Sequence, residues 1–577
     1  MLNIRNEMRT YLPFLDWLIH YRKEYLISDI VAGLVTAIML IPQSMAYAQL
    51  AGLPPQIGLY ASILPLIVYA LLGTSGQLSV GPVAITSLAV FAGVSKLSDP
   101  GSPLYLEYVF LLAFIVGVIK ILLGIFRIGF VMNFVSHPVL SAFMSSSALI
   151  IAFGQTKYLL GYQIEGDKVH EIILSMIRNI EKINPATFVI GTFSIFLLVV
   201  FRSKVIEILF RHTDLPASVV TLIVSGSPLI VVLLGVLVAW LGHLDETEGV
   251  RIVGAIPTGL PRVTFPTLDA EKGISLMPTV LTIVFVSVVE SIAVAKALAS
   301  KRRKAIDSNQ ELIALGAANI AASFTSGYPV TGGFARSVVN DQAGAITGLA
   351  SIITACAIAL IVMWFTPFFY YLPQAVLAAT VIVAVLSLFK PNEVFRIWKV
   401  NKMDAVVWMV TFLFVLFEGI EIGIMAGVVL SLILFLWRTS RPHIAIVGRV
   451  GQSEHFRNIL RYRVKTCPEI LAVRIDESLY FANARYLEDF LLLMISDRPE
   501  VKHLILICSA INFIDASALE TLESLILKLR SAGVEFYMAE IKGPVMDELK
   551  RAGFIEFIGS ERIFLSTHEA MNALGCS

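Results

Sequence analysis

Apolar stretches long enough to cross a bilayer recur from about Ile27 to Trp437, and two of them are broken by glycine and proline at matching places. Inside hydrocarbon every backbone N–H and C=O must be satisfied by the chain itself, which confines such a sequence to packed helices. The first break reads Ser79-Val80-Gly81-Pro82-Val83-Ala84-Ile85, and the second Tyr328-Pro329-Val330-Thr331-Gly332-Gly333-Phe334-Ala335-Arg336-Ser337. Paired interruptions in the two halves of a membrane chain point to the binding site of an inverted-repeat transporter. The second break also carries an arginine, and a charge at membrane depth marks a functional site by default. The two features together imply a carrier for an anion.

The spans are expected near 28–50, 57–72, 79–96, 107–126, 132–153, 186–201, 217–241, 274–298, 310–325, 333–349, 350–366, 372–389, 403–418 and 420–438. The third and tenth look short or broken. Basic clusters fall before the first span (Arg5, Arg9, Arg22, Lys23) or after even-numbered ones: Arg127; Arg202, Lys204 and Arg211; Lys301 to Lys304; Lys390, Arg396, Lys399 and Lys402; Arg438 and Arg441. The positive-inside rule then makes both termini cytoplasmic and supports an even number of spans. About fourteen spans divide into seven and seven. An odd number per half inverts the second half relative to the first, and the two breaks lie about 250 residues apart.

Composition excludes other classes. Hydrophobic residues make up 57%, against roughly half in soluble domains. A formal net charge of +1 gives no reason to expect a nucleic-acid partner. Nine scattered histidines and four cysteines without CxxC spacing suggest no metal centre and no cofactor. No nucleophile–base pair or phosphate-binding loop is present, so neither an enzyme nor an ATP-driven pump is expected. The N-terminal segment, 1–27, is polar and basic without a cleavable signal pattern, and reads as an interfacial segment.

From about Arg441 the character changes. Strand patterns at 471–475, 504–508 and 534–539 alternate with helix patterns at 484–495, 518–529 and 544–551. Such alternation predicts an α/β domain with a largely parallel sheet over 441–577, following a membrane domain over 28–440. Cys467, Cys508 and Cys576 lie in this tail, where a cytosolic setting predicts free thiols; Cys356 lies in a span.

The stretch Pro42-Gln43-Ser44-Met45-Ala46-Tyr47-Ala48, with Ala51-Gly52-Leu53-Pro54-Pro55 and Gly58-Leu59-Tyr60, closely resembles the sulfate permease (SulP) family of anion transporters. Gly73-Thr74-Ser75, Val80-Gly81-Pro82, Ser136-His137-Pro138 and Phe334-Ala335-Arg336-Ser337 continue the match in order. The tail resembles the STAS domain that follows the membrane domain in that family. The resemblance implies a seven-plus-seven inverted fold, a core domain moving against a gate domain, and a homodimer in the inner (cell) membrane. By position it places Gln43, Tyr47, Val83, Phe334, Ala335 and Arg336 around the anion. Many relatives carry a hydroxyl where this chain has Ala335.

The residues support a mechanism alongside the resemblance. Helix N-termini expose unpaired N–H groups and carry roughly half a positive charge each. Two half-helices meeting N-terminus to N-terminus form an anion cradle from backbone alone. Small residues at the breaks (Gly81, Ala84, Gly332, Gly333, Ala335) would let an anion approach, and Arg336 would add a full charge. The ordinary alternatives are interhelical hydrogen bonding for Gln43 and Tyr47 and a structural ion pair for Arg336. Glu290, in Val288-Val289-Glu290-Ser291-Ile292, is a carboxylate inside a span, which either pairs or takes up a proton. The resemblance ties this position to cation coupling, and glutamate favours a proton over sodium; the alternative is a fixed partner for Arg336. Lys120 is expected to snorkel to the interface or meet a lipid headgroup. In the tail, Asp515 opens a helix and reads as its N-cap, with Ser517 two residues on. The loop resembles one that is phosphorylated in anti-sigma-factor antagonists, but Ala516 stands at the acceptor place; a cytosolic protein partner is the favoured role.

Proton-coupled sulfate uptake by alternating access is the leading expectation. A dicarboxylate or bicarbonate symporter, an exchanger or channel on the same fold, and a membrane-anchored signalling module are the alternatives.

Overall fold

The computed structural model describes residues 12–128, 136–162, 164, 169–202, 226–303 and 305–576. Arg5, Arg9, Lys204, Arg211, Lys304 and the first part of the expected seventh span lie outside the described residues. The chain divides into two compact units, Met1–Ser431 and Leu432–Ser577.

Helices dominate the first unit. In order they are α1 (Lys23–Leu50), α2 (Pro55–Tyr60), α3 (Leu64–Leu72), α4 (Ala84–Val94), α5 (Pro103–Ile125), α6 (His137–Gly154), α7 (Pro185–Arg202), α8 (Ser227–Gly242), α9 (Ala270–Lys301), α10 (Ser308–Phe324), α11 (Phe334–Gln342), α12 (Leu349–Trp364), α13 (Gln374–Leu386), α14 (Lys402–Glu418) and α15 (Ile420–Ser440). Each expected span coincides with one of them, the second being split into α2 and α3. At 1.5 Å per residue α9 is about 48 Å long, whereas α4 is about 16 Å and α11 about 14 Å, half of a hydrocarbon core roughly 30 Å thick.

Local chemistry sets the ends. Asp269 caps α9 by accepting from Glu271 N at 2.9 Å and Lys272 N at 3.3 Å. Asp307 caps α10 in the same way through Asn309 N and Gln310 N. Ser102 caps α5 ahead of Pro103, which occupies the first turn where its missing N–H is no loss. Within the bundle, α5 and α10 touch through glycine. A Cβ on Gly117 or on Gly316 would lie 2.7 Å from the other's carbonyl oxygen. Small residues bring backbones this close where no hydrophobic force drives helices together.

Two short amphipathic helices, Val169–Arg178 and Glu393–Val400, follow the fifth and twelfth spans. They are too polar to register as spans, and span-scale hydropathy passes over them. The sequence expectation for Lys120 is overturned. The residue sits between Gly117 and Gly124 on the face of α5 that packs on α10, is 0% exposed, and its Nζ has no hydrogen-bond partner among the described residues. Snorkelling needs a path to the interface, and the tight glycine contact closes it.

The second unit carries the last turns of α15 and a six-stranded sheet of order β4-β3-β5-β6-β7-β8. We number the strands β3 (Ile444–Arg449), β4 (Phe456–Asn458), β5 (Ile470–Ile475), β6 (His503–Ile507), β7 (Glu535–Ala539) and β8 (Ile563–Phe564). β5 to β8 run parallel, with β3 antiparallel to β5 and to β4. The helices α16 (Ala484–Ser496), α17 (Ala516–Ser531) and α18 (Gly543–Arg551) bury Leu487, Leu491, Leu522, Leu525 and Leu549 against one sheet face. A C-terminal helix, α19 (Thr567–Ala573), covers part of the other face with Ala570 and Met571. Tyr480 and Asn483 donate to Thr439 O, which groups the end of α15 with this unit. The expectation of free thiols at Cys467 and Cys576 is overturned, because the two form a disulfide; Cys356 and Cys508 are free. The fold brings Cys467, three residues before β5, beside Cys576 beyond α19, a proximity that sequence spacing cannot register.

Candidate functional site

The two breaks meet. β1 (Val80–Gly81) and β2 (Thr331–Gly332) pair antiparallel, Val80 opposite Gly332 and Gly81 opposite Thr331. Gly333 N donates to Ser79 O at 3.1 Å, and Ser79 N donates to Ser337 Oγ at 2.9 Å. The non-helical backbone at these breaks is thereby satisfied within protein, the condition for its survival at membrane depth. From the two ends of this short ladder the half-helices α4 and α11 depart.

Neither half-helix has a side-chain cap. The first helical bonds are Ser87 N to Val83 O and Ser337 N to Gly333 O. The N–H groups of residues 84–86 and 334–336 therefore precede any intrahelical bond. Each terminus presents roughly half a positive charge.

Arg336 adds the full charge. It is 2% exposed, its Nη1 donates to Pro82 O across the ladder, and its Nε and Nη2 have no hydrogen-bond partner among the described residues. Its guanidinium lies over both breaks. A Cβ on Gly333 would be 3.0 Å from Arg336 Cζ and Nη2, and one on Gly81 would be 3.4 Å from Nη2. A side chain at Gly333 would press on the guanidinium, whereas a Cβ at Gly81 would make ordinary contact with it. Buried donors left unmade are costly, which makes Nε and Nη2 natural partners for an anion.

The other expected residues gather here to different degrees. Val83 (9% exposed) and Ala84 (3%) form the start of α4, and Gly333 that of α11. Phe334, at 53% exposed, and Ala335 present the accessible side of the α11 terminus. Tyr47, Glu290 and Tyr328 lie within electrostatic reach of the Arg336 guanidinium. Gln43 is buried one turn from Tyr47 on α1. Glu290 and Arg336 form no ion pair, and Glu290 Oε2 is buried without a partner among the described residues. The fixed-partner alternative for Glu290 is thus not what the structure has. Asp515 and Ser517 belong to the other unit. Asp515 caps α17 by accepting from Ala518 N at 2.8 Å and also takes Phe481 N at 2.9 Å, while Ser517 is exposed.

Residues that sequence reasoning passed over hold the breaks in place. Ser291 Oγ accepts from Gly332 N at 2.9 Å and bonds Thr331 Oγ1 at 2.7 Å; Thr331 Oγ1 donates to Ser287 O at 3.1 Å. β2 is thereby pinned to α9 on the turn that carries Glu290. Asn319 brackets Val330 with two bonds of 2.9 Å, and Asn340 joins Thr36 of α1 to Gln77 O. Two buried carboxylates clamp the flanking loops. Glu311 accepts from Tyr69 Oη, Thr74 N, Thr74 Oγ1 and Ser75 N. Asp29 accepts from Ile346 N, Thr347 N and Thr347 Oγ1. Both are carboxylates inside apolar spans, the signal that could have found them.

The model of the sulfate permease family matches residues 26–411, and that of the STAS domain residues 461–570. The chain is 38% identical over 576 residues to "Sulfate transporter 4.1, chloroplastic" of Arabidopsis thaliana, covering 97% of this chain and 82% of the relative. It is 33% identical to "High affinity sulfate transporter 2" of Stylosanthes hamata, covering 98% and 86%. Among solved structures, that of SLC26A9 superposes with a TM-score of 0.91 at 25% identity, over 99% of this chain and 93% of the other. Murine Slc26a9, an anion transporter in the inward-facing state, superposes at 0.89 with 25% identity, over 98% and 94%. A protein whose paired half-helices, intramembrane arginine and C-terminal α/β domain coincide with these matches is a multi-pass membrane transporter, and the chain belongs to the sulfate permease family.

Proposed function

We propose that this chain is a secondary active carrier that takes up sulfate with a proton. The anion would sit between the N-termini of α4 and α11 on Arg336, with Gln43, Tyr47, Val83, Ala84, Gly333, Phe334 and Ala335 around it, and Glu290 would carry the proton. The observation that carries this reading is the placement of Arg336, with buried unpartnered donors at the meeting point of two uncapped helix termini. The relatives named as sulfate transporters favour sulfate among small anions. One guanidinium and two termini sum to roughly two positive charges, which suits a divalent anion.

Glu290 supplies the coupling logic. When ionised it offsets part of the Arg336 field and opposes anion binding; when protonated it leaves that field to the anion. Proton and anion then favour one another's binding, the thermodynamic requirement for symport. The basic clusters support an orientation with both termini cytoplasmic.

The test is radiolabelled sulfate uptake into proteoliposomes, with and without an inward proton gradient, for the wild type and Glu290→Gln. The proposal expects accumulation that the gradient stimulates and that loses its gradient dependence in Glu290→Gln. Gradient-driven uptake that persists intact in Glu290→Gln would remove the coupling role. Transport of fumarate or bicarbonate without sulfate would remove the substrate.

A further inference from the structure

Cys467 lies between β4 and β5, Cys576 lies beyond α19, and the bond between them closes a loop of 109 residues with Cα atoms 6.2 Å apart. Both residues are partly exposed. The bond fastens α19 against the sheet face built from Ala445, Val447, Ile505, Ile507 and Ala539. Without it α19 has little to hold it. Seven residues are far too few for a helix stable on its own, and Ala570 and Met571 are its apolar anchors in that cluster. Leu574 packs at its edge, and the polar ties are Thr567 Oγ1 and N to Glu540 at 2.6 and 3.4 Å, and Arg449 Nη2 to Asn572 Oδ1 at 2.8 Å, to His568 Nδ1 at 3.2 Å and to Cys576 O at 3.3 Å.

We infer that Cys467 and Cys576 form a reversible thiol–disulfide modification site that controls whether the C-terminal helix stays docked on the sheet. The reductant is a small-molecule or protein dithiol. One of its thiolates attacks a sulfur of the pair and releases the other as a thiolate, which takes a proton. Its second thiol then resolves the mixed disulfide, so that the pair ends as two thiols and the dithiol as a disulfide. In a reducing compartment the pair rests as thiols and α19 is held by Ala570, Met571 and its polar contacts; a disulfide oxidant, itself reduced to thiols by the reverse exchange, fastens it. Cys508 takes no part: it is fully buried, and burial pushes its thiol up, away from the reactive thiolate.

The experiment uses the full-length protein purified in detergent, treated with dithiothreitol or with oxidised glutathione. Peptide mapping is expected to find Cys467 linked to Cys576 after oxidation and both alkylated after reduction. Hydrogen exchange in residues 567–574 is expected to quicken at least threefold on reduction. Cys467→Ser and Cys576→Ser should show the fast rate under both conditions. The second alters a residue outside every strand and helix, so it remains informative if the first fails to fold. Absence of the linked peptide after oxidation, or exchange that reduction leaves unchanged in the wild type, would overturn the inference.

Discussion

Arg336 is fixed by one backbone carbonyl and by the absence of a side chain at Gly333. Its Nη1 bonds Pro82 O, and Gly81 and Gly333 leave room for the rest of the guanidinium. Gly333→Ala would put a Cβ 3.0 Å from Arg336 Cζ and force the guanidinium to shift. We expect sulfate affinity to fall about tenfold, which corresponds to about 1.4 kcal/mol. Arg336→Ala removes the whole charge and should abolish measurable binding, while Arg336→Lys, a point charge without the planar fork, should retain a small fraction. Equilibrium binding of radiolabelled sulfate to purified variants reads all three. At this scale the arginine and the glycines were legible in the sequence, because charge and missing side chains stand out against an apolar run. The pairing state of Glu290 was not: both an ion pair with Arg336 and a free carboxylate satisfy the same spacing, and only the geometry separates them. Lys120 misled for a related reason, since snorkelling is a rule about helix ends and takes no account of which neighbour packs on the stem.

The broken spans work as elements because other elements grip them. α9 holds β2 through Ser287 and Ser291, and α10 holds the loop before β1 through Glu311. Glu311→Gln keeps the shape but removes the charge on which three donors from Thr74 and Ser75 converge. We expect weaker sulfate binding with little change in the amount of folded protein; Glu311→Ala, which leaves those donors buried and unpaired, should also lower the melting temperature. The α5–α10 contact admits less change. Gly316→Leu would drive a side chain into the Gly117 carbonyl and should sharply reduce the yield of monodisperse protein in detergent, seen by size-exclusion chromatography. Span positions were readable because hydropathy over a bilayer's thickness is a strong signal. The β1–β2 ladder was not, since its strands are two residues each and pair across about 250 residues of chain. β4 and α19 were missed for want of length: elements of three and seven residues carry too few periods for a pattern to emerge.

Taken whole, the molecule repeats one device in two halves. Each half supplies a short strand followed by a half-length helix, and the halves meet strand to strand with an arginine reaching across. An α/β domain, whose alternating strands and helices were legible from Leu471 to Arg551, follows the membrane unit. Family and fold rest on matches spanning nearly the whole chain, and the proposed anion site rests on the meeting of the two breaks. The most direct test of that site is a density map of the protein saturated with selenate, an electron-rich stand-in for sulfate. The anion is expected within hydrogen-bond reach of Arg336 and of backbone N–H groups in both 84–86 and 334–336. Selenate bound elsewhere, with this site empty at saturating concentration, would contradict it.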